Sequence, residues 1–404
     1  MNLSSWIAGR RRRARAKSES GSAPTPVRVL FLFAESYLNS PWSVIAMILR
    51  YGAANGIVPL VVLGHHTDGV LNLGPDIEVL RVQLGGRLNA RAVLELKKLV
   101  IDREIDLIHV VDSIPSMLTG TLLSVASRTP LVVHFHSIPR LWSPQKRVIL
   151  RTVASLAGAI VGVSKFVRDG IEAQIGIPAR VLTWVHNGVD IGYFSPTVDG
   201  SAMRAFLGFK EGAIAVVEPA RFWLLKGQKD LVRAVALARR QNPAIELALI
   251  GWNDTSYVGP AASFRAEIEE LAASLGVSDF VRCFDPDRRA NEIHAAADIV
   301  CVPSTEEPFG LVAIEAQATG RPFVGARSGA VPEMIDDGVD GILVEPNSPE
   351  AIAAALLRLA ADPSLRAALG SKGRIRVTEN FQDTLVASRF AAVYRAILAS
   401  SPLP

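Results

Sequence analysis

From residue 27 onward the chain repeats one pattern: a short apolar run, a turn, then an amphipathic stretch of helical period. This repetition constrains the fold most, because strands alternating with helices form parallel sheets covered on both faces. Runs at residues 27–33, 58–63, 107–111, 131–135, 159–163 and 181–185 are the expected strands of a first half, with helices over 90–103 and 114–127. Runs at 214–217, 247–250, 281–284, 299–302 and 322–324 are the expected strands of a second half. Residues 187–201, rich in Gly, Asp, Pro and Ser, mark a linker, and helices are expected over 349–359, 363–378 and 384–398. At 404 residues the chain is longer than one core usually organises. The predicted class is α/β: a basic tail over 1–26, then two Rossmann-like doubly wound domains, 27–195 and 202–380, facing across a cleft. Ligands in such sheets bind at the carboxyl ends of the strands.

Composition adds exclusions. Cys283 and Cys301 lie inside apolar runs and read as buried thiols, and such sparse usage fits a reducing, cytoplasmic setting. No apolar run approaches the ~18 residues needed to cross a bilayer. Arg10 to Arg13, Arg15 and Lys17 are not followed by the apolar segment of a secretory signal and read as a basic tail. Residues 1–195 carry 22 Lys and Arg against 13 Asp and Glu, and the remainder 21 against 26. Six of the positive charges sit in the tail, so a nucleic-acid partner is not favoured.

Two constellations carry chemistry. After the run at 214–217 comes Arg221-Phe-Trp-Leu-Leu-Lys226-Gly227, a strand-to-helix loop whose two cations can converge on phosphate oxygens. Taken alone, the pair reads as surface charge flanking a helix. After the run at 299–302 comes Pro303-Ser-Thr-Glu-Glu307-Pro-Phe-Gly310, opening a helix that contains Leu311, Val312 and Glu315. Unpaired amides at a helix start attract phosphate or sugar oxygens, and Glu315 lies about 7.5 Å along the helix at ~1.5 Å per residue. Two carboxylates spaced this way can hold different rings of one ligand. The plainer alternative makes Glu307 an anion near a helix start and Glu315 a solvated residue. His134 and His136 share one strand face, without a third ligand for a metal. Asp285-Pro-Asp287 imitates a metal-binding Asp-x-Asp and is set aside as a decoy, and His65 and His66 read as loop residues.

Together these segments resemble the GT-B fold retaining glycosyltransferases, family 4-like (glycosyl transferases group 1), from about residue 27 to the end. The marks are Val163-Ser-Lys, Asn187-Gly-Val-Asp190 with Phe194 and Pro196, Arg221 with Lys226-Gly227, Pro303-Ser304, the pair Glu307 and Glu315, and Gly329-Ala-Val-Pro-Glu333. The resemblance implies a GT-B fold whose C-terminal segment, 381–404, is a helix returning to the N-terminal domain. The N-terminal domain would bind the acceptor and the C-terminal domain the nucleotide sugar. It implies that Arg221 and Lys226 bind the donor diphosphate and that Glu315 holds the ribose. Glu307, with the amides of Phe309 and Gly310, would face the transferred sugar, and the Leu311 and Val312 amides would approach the phosphate. His136 matches a His lining the reaction centre. The implied reaction moves a hexose-type sugar, with retention, from a UDP- or GDP-sugar to a glycan or lipid-linked acceptor in polysaccharide or glycolipid biosynthesis. No cofactor and no metal is expected. Two stretches depart from the family pattern: residues 36–41 replace a Gly-Gly loop, and Gly251 is followed by Trp252, Asn253 and Asp254.

Because relatives act on lipid-linked acceptors, residues 143–156 invite comparison with a membrane-surface helix. Arg147 and Arg151 share one face, Ile149, Val153 and Leu156 the other, and Trp142 precedes them. An ordinary amphipathic helix fits the same pattern. The implied location is cytoplasmic, with the inner membrane face as a contact for the basic N-terminal half. The competing functions are a sugar-nucleotide epimerase or phosphorylase on the same fold, and a non-catalytic nucleotide-sugar-binding subunit. An NAD-dependent dehydrogenase is disfavoured, since no Gly-x-Gly-x-x-Gly follows the first strand.

Overall fold

The structure, a computed structural model, describes residues 25–34, 40–64, 77–84, 89–139, 143–177, 179–252, 264–285 and 289–400. In chain order the first elements are β1 (Val27–Phe33), α1 (Ser40–Gly52), β2 (Ile57–Gly64), β3 (Glu78–Val82), α2 (Ala90–Asp102), β4 (Leu107–Val111), α3 (Ile114–Ser127), β5 (Leu131–Phe135), α4 (Pro144–Leu156), β6 (Ala159–Gly162), α5 (Lys165–Ile175) and β7 (Leu182–Trp184). There follow α6 (Ser201–Phe206), β8 (Ile214–Pro219), α7 (Gln228–Arg239), β9 (Ile245–Ile250), α8 (Phe264–Ser274), β10 (Val281–Phe284), α9 (Ala290–Ala296), β11 (Ile299–Val302) and α10 (Leu311–Ala318). The last elements are β12 (Phe323–Ala326), α11 (Val331–Met334), β13 (Ile342–Val344), α12 (Pro349–Ala361), α13 (Pro363–Asn380) and α14 (Asp383–Ser400).

The strands form two parallel sheets, ordered β3-β2-β1-β4-β5-β6-β7 and β10-β9-β8-β11-β12-β13. Burial explains why these segments are strands: β4, β5 and β9 are buried at every position, as a sheet covered on both faces requires. Several helices bury a single stripe. In α2 it is Ala92, Leu96 and Val100, and the helix is started by the Asn89 side chain accepting from the Arg91 and Ala92 amides. In the six-stranded sheet, β8 is followed in sequence by β9 on one side, while β11 lies on its other side. Chain order therefore reverses between β8 and β11, a switch point of the kind at which doubly wound sheets bind ligands.

The described chain divides into two compact units: 1–133 with 155–159 and 387–404, and 134–154 with 160–386. In the first, Tyr394 of α14 is fully buried and its hydroxyl lies 2.6 Å from His109 Nδ1 on β4. In the second, Val189 bridges to Gln382, and Asp190 Oδ1 accepts from the Gly192 and Tyr193 amides at 2.9 Å each, so the expected linker is an ordered turn.

Several expectations need correction. Residues 78–82 and 342–344 are strands that periodicity missed, the first because Glu78 and Arg81 give it a loop-like composition, the second because it is three residues long. The last expected strand of the second half slides to Phe323–Ala326, since Pro322 brings no amide to a ladder. Ser201, placed in the linker, begins α6, and Ser40 and Pro41, placed in a loop, begin α1. The rest of that loop (36–39), His65, His66, Trp142, Asn253, Asp254, Asp287 and the basic tail lie outside the described residues. In α4 the buried stripe is Leu150, Val153 and Ala154, whereas Leu156, expected to share their face, is exposed in the last turn.

Candidate active site

The two loops that leave β8 and β11 at the switch point carry the residues singled out in the second half. Lys226 Nζ donates to Glu307 Oε2 at 2.6 Å, and Ser304 Oγ donates to the same oxygen at 3.3 Å. Both charged side chains are only 15% exposed, so the pair is largely out of water and each charge depends on the other. The turn that delivers Lys226 needs glycine: Gly227 has φ +79°, and a Cβ there would stand 2.4 Å from the Pro303 carbonyl oxygen. The β8 loop thus lies directly on the β11 loop. Gln228 Nε2 donates to the Arg221 carbonyl at 3.0 Å, and the Arg221 guanidinium stacks 4.6 Å from the Trp223 ring. Phe222 is buried, and its amide donates to the Trp252 carbonyl at 2.9 Å.

The β11 loop ends at Gly310, where α10 begins, with Phe309 buried and Leu311 and Val312 half-buried. Their amides belong to the helix start, whose N–H groups lack intrahelical acceptors. Glu315, five positions on from Gly310, meets His294 Nε2 at 3.2 Å. His294 is fully buried on α9 and packs edge-on against Phe194. Glu307 and Glu315 therefore have different partners, a cation and an imidazole. The structure gathers Arg221, Lys226, Glu307, Phe309, Gly310, Leu311, Val312 and Glu315 on two adjoining loops and one helix start.

His136 stands apart, just beyond β5 in the seven-stranded sheet. Its ring centroid is 4.3 Å from that of His134. Though His136 is not wholly covered, desolvation pushes its pKa from 6.5 to about 3, so the ring is neutral at ordinary pH. Among the described residues no group of three or more His, Cys, Asp or Glu is gathered as a metal site needs. Asp285 instead pairs with Arg265 at 3.0 Å. Burial raises the Cys283 thiol to about 12 and the Cys301 thiol well above its ordinary value, so both are inert.

Three residues escaped sequence reasoning. Ser304 was noted only beside Pro303, and nothing in its spacing linked it to Glu307. His294 sits on an unremarkable short helix. Glu218 is fully buried on β8, opposite Leu249 of β9, with neither carboxylate oxygen hydrogen-bonded among the described residues. Burial raises its pKa well above the usual carboxylate range, against the pull of the Lys226 charge. An acidic residue inside an apolar strand was the available signal.

Comparison with known proteins identifies the family and the architecture. Residues 200–376 match the family model for glycosyl transferases group 1, and residues 42–193 that for glycosyltransferase family 4. A GDP-mannose-dependent alpha-(1-6)-phosphatidylinositol monomannoside mannosyltransferase of Mycolicibacterium smegmatis is 31% identical over 309 residues, covering 73% of this chain and 78% of that one. A D-inositol 3-phosphate glycosyltransferase of Corynebacterium kroppenstedtii is 33% identical over 261 residues, 64% of this chain and 56% of that protein's length. The match to the corresponding protein of Streptomyces bingchenggensis spans 63% of that protein. Among solved structures, Anabaena Alr3699/HepE in complex with UDP superposes with a TM-score of 0.78 at 24% identity, covering 92% of this chain and all of that one. The sucrose-phosphate synthase of Thermosynechococcus elongatus superposes with a TM-score of 0.77 at 23% identity, covering 93% and 100%. These two likenesses establish the GT-B architecture. The chain belongs to the glycosyl transferases group 1 family.

Proposed function

We propose that the protein is a retaining glycosyltransferase that moves a hexose from a UDP- or GDP-sugar to a glycan or lipid-linked acceptor. The observation that carries this reading is the Lys226–Glu307 pair with Ser304, at the β8/β11 switch point. A largely buried cation already held beside a helix start is a suitable seat for a diphosphate. Arg221 and Lys226 neutralise the leaving diphosphate, with the Leu311 and Val312 amides on its oxygens, and Glu315 accepts from the ribose hydroxyls. Glu307 and the Phe309 and Gly310 amides face the transferred sugar. As the C1–O bond to the phosphate breaks, the acceptor oxygen bonds C1 on the same face and its proton passes to the departing phosphate. No protein base of high pKa is then required, and neutral His136 lines the reaction centre as a hydrogen-bonding group. The two cations perform the charge neutralisation that a divalent ion supplies elsewhere, so no metal is required.

Relatives point to donor and acceptor classes: one is named for GDP-mannose and a phosphatidylinositol mannoside, and another protein of the same fold was solved with UDP and glucose. Cytoplasmic location, with contact to anionic lipid through α4, belongs to the same reading. Among the described residues no helix is long and apolar enough to cross a membrane. The test is incubation with a panel of UDP- and GDP-sugars and glycan or lipid acceptors, with and without chelator. Release of nucleoside diphosphate together with a new α-glycoside is expected in both conditions. An epimerised sugar nucleotide formed without acceptor, or nucleotide binding with no turnover on any pair, would overturn it.

A further inference from the structure

Three sequence motifs with no role in the donor site meet in the second unit. The Glu333 carboxylate sits on the N-terminus of α5, its Oε1 accepting from the Phe166 amide at 2.8 Å and its Oε2 from the Lys165 amide at 2.9 Å, with His186 Nε2 2.8 Å from that same Oε2. Burial alone would raise its pKa, but these hydrogen bonds and the His186 charge lower it overall, so it is held as an anion. Ser164, the residue capping α5, accepts from the Val167 amide and donates to the Pro308 carbonyl at 2.6 Å. His186 also lies 5.9 Å, ring to ring, from Phe309. From the Glu333 segment, the Ala330 amide donates to the Glu307 carbonyl at 2.8 Å, and Ser328 Oγ donates to the Ser304 carbonyl. Contact there is so close that a Cβ on Gly329, at φ +57°, would stand 2.2 Å from the Glu307 oxygen. The carbonyls of residues 304, 307 and 308 and the ring of Phe309 are therefore all held from outside their own loop.

We propose that Ser164, His186 and Glu333 are positioning residues for glycosyl transfer. They touch no reacting atom and act by fixing the turn that carries Glu307 and the Phe309 and Gly310 amides, an inference that rests on the proposed function of that turn. A turn released by ~1 Å costs a transfer enzyme about a hundredfold. The experiment compares wild type, Glu333→Gln, Ser164→Ala and Ser164→Thr by steady-state kinetics and by amide hydrogen exchange over residues 304–313. Val100→Ala, a core change in the first unit, is the stability-matched control. Expected for Glu333→Gln is a fall in kcat of about 30-fold with donor KM changed less than about threefold, and faster exchange at 307–313. Ser164→Ala should fall about tenfold, with Ser164→Thr restoring most of the loss because its hydroxyl still caps and donates. Unchanged kcat and exchange in Glu333→Gln, or losses no larger than those of Val100→Ala at equal Tm, would overturn the proposal. Should wild type transfer no sugar at all, the proposed function fails, and the exchange comparison still decides whether the clasp holds the turn.

Discussion

The carboxyl ends of β8 and β11 and the carboxyl end of β5 are built on opposite electrostatic plans. At the six-stranded edge charges are present and held against partners: Lys226 with Glu307, Glu315 with His294. At the seven-stranded edge β5 leads into two imidazoles 4.3 Å apart, of which His136 is kept neutral by its surroundings. The first plan suits a ligand that brings its own charge, because a diphosphate can take over a cation already paid for by a carboxylate. The second suits hydroxyl groups, which need hydrogen-bond partners rather than counter-ions. Under the proposed function, the contrast would seat the donor at the first edge and the less charged chemistry at the second.

Removing the central cation should break that contrast most severely. Lys226→Ala is expected to lower kcat by about 10²–10³-fold, the usual effect of deleting a group that stabilises charge in the transition state. It should also lower Tm, because Glu307 is left largely buried without its partner. The double change Lys226→Met with Glu307→Gln should recover much of the Tm and none of the activity, which thermal melts and initial rates would separate. Next in size is Glu315→Ala, expected to raise donor KM about tenfold while kcat stays within about threefold, since hydroxyl contacts to a charged group are worth roughly 1.5 kcal/mol. Initial rates over a range of donor concentrations measure the split.

The neutral edge makes a pH prediction. A folded-state pKa near 3 against 6.5 unfolded means the unfolded chain binds the extra proton between those values. The contribution of His136 to stability is therefore complete above pH 6.5 and is lost as pH falls toward 3, on the order of 2 kcal/mol by pH 5. His136→Asn should flatten the melting curve against pH across that window while leaving the acid limb below pH 4.5, where Glu333 titrates, in place. The smallest effect concerns α4. Arg151 Nε donates to the Ile175 carbonyl at 2.7 Å, and reversing Arg147 leaves that bond intact. Arg147→Glu should weaken pelleting with anionic vesicles by several-fold, given about 1 kcal/mol per basic residue near such a surface. Unaltered pelleting would make α4 an ordinary amphipathic helix.

Much of this molecule could be read from residues alone, and the failures have physical causes. β4, β5 and β11 stood out because strands covered on both faces are apolar almost throughout. β3 did not, because an edge strand carries charges. Both donor loops were visible because glycine and helix-start chemistry leave local marks at Gly227 and Gly310. The contacts that make them a site are not local: Lys226 finds Glu307 across 81 residues, Glu315 finds His294, and Glu333 finds α5 across about 167. Periodicity reports which face a residue occupies and never which distant residue meets it there.

The central claim is that the Arg221, Lys226 and Glu307 edge seats a nucleoside diphosphate without metal. Its most direct test is calorimetric titration of UDP and of GDP, in excess EDTA, into wild type and Lys226→Ala. One of the two nucleotides should bind wild type with a Kd in the micromolar range, on the order of 10⁻⁶ to 10⁻⁴ M, and at least about tenfold more weakly to Lys226→Ala. Binding of equal strength to both proteins, or binding that appears only when a divalent cation is restored, would contradict the account.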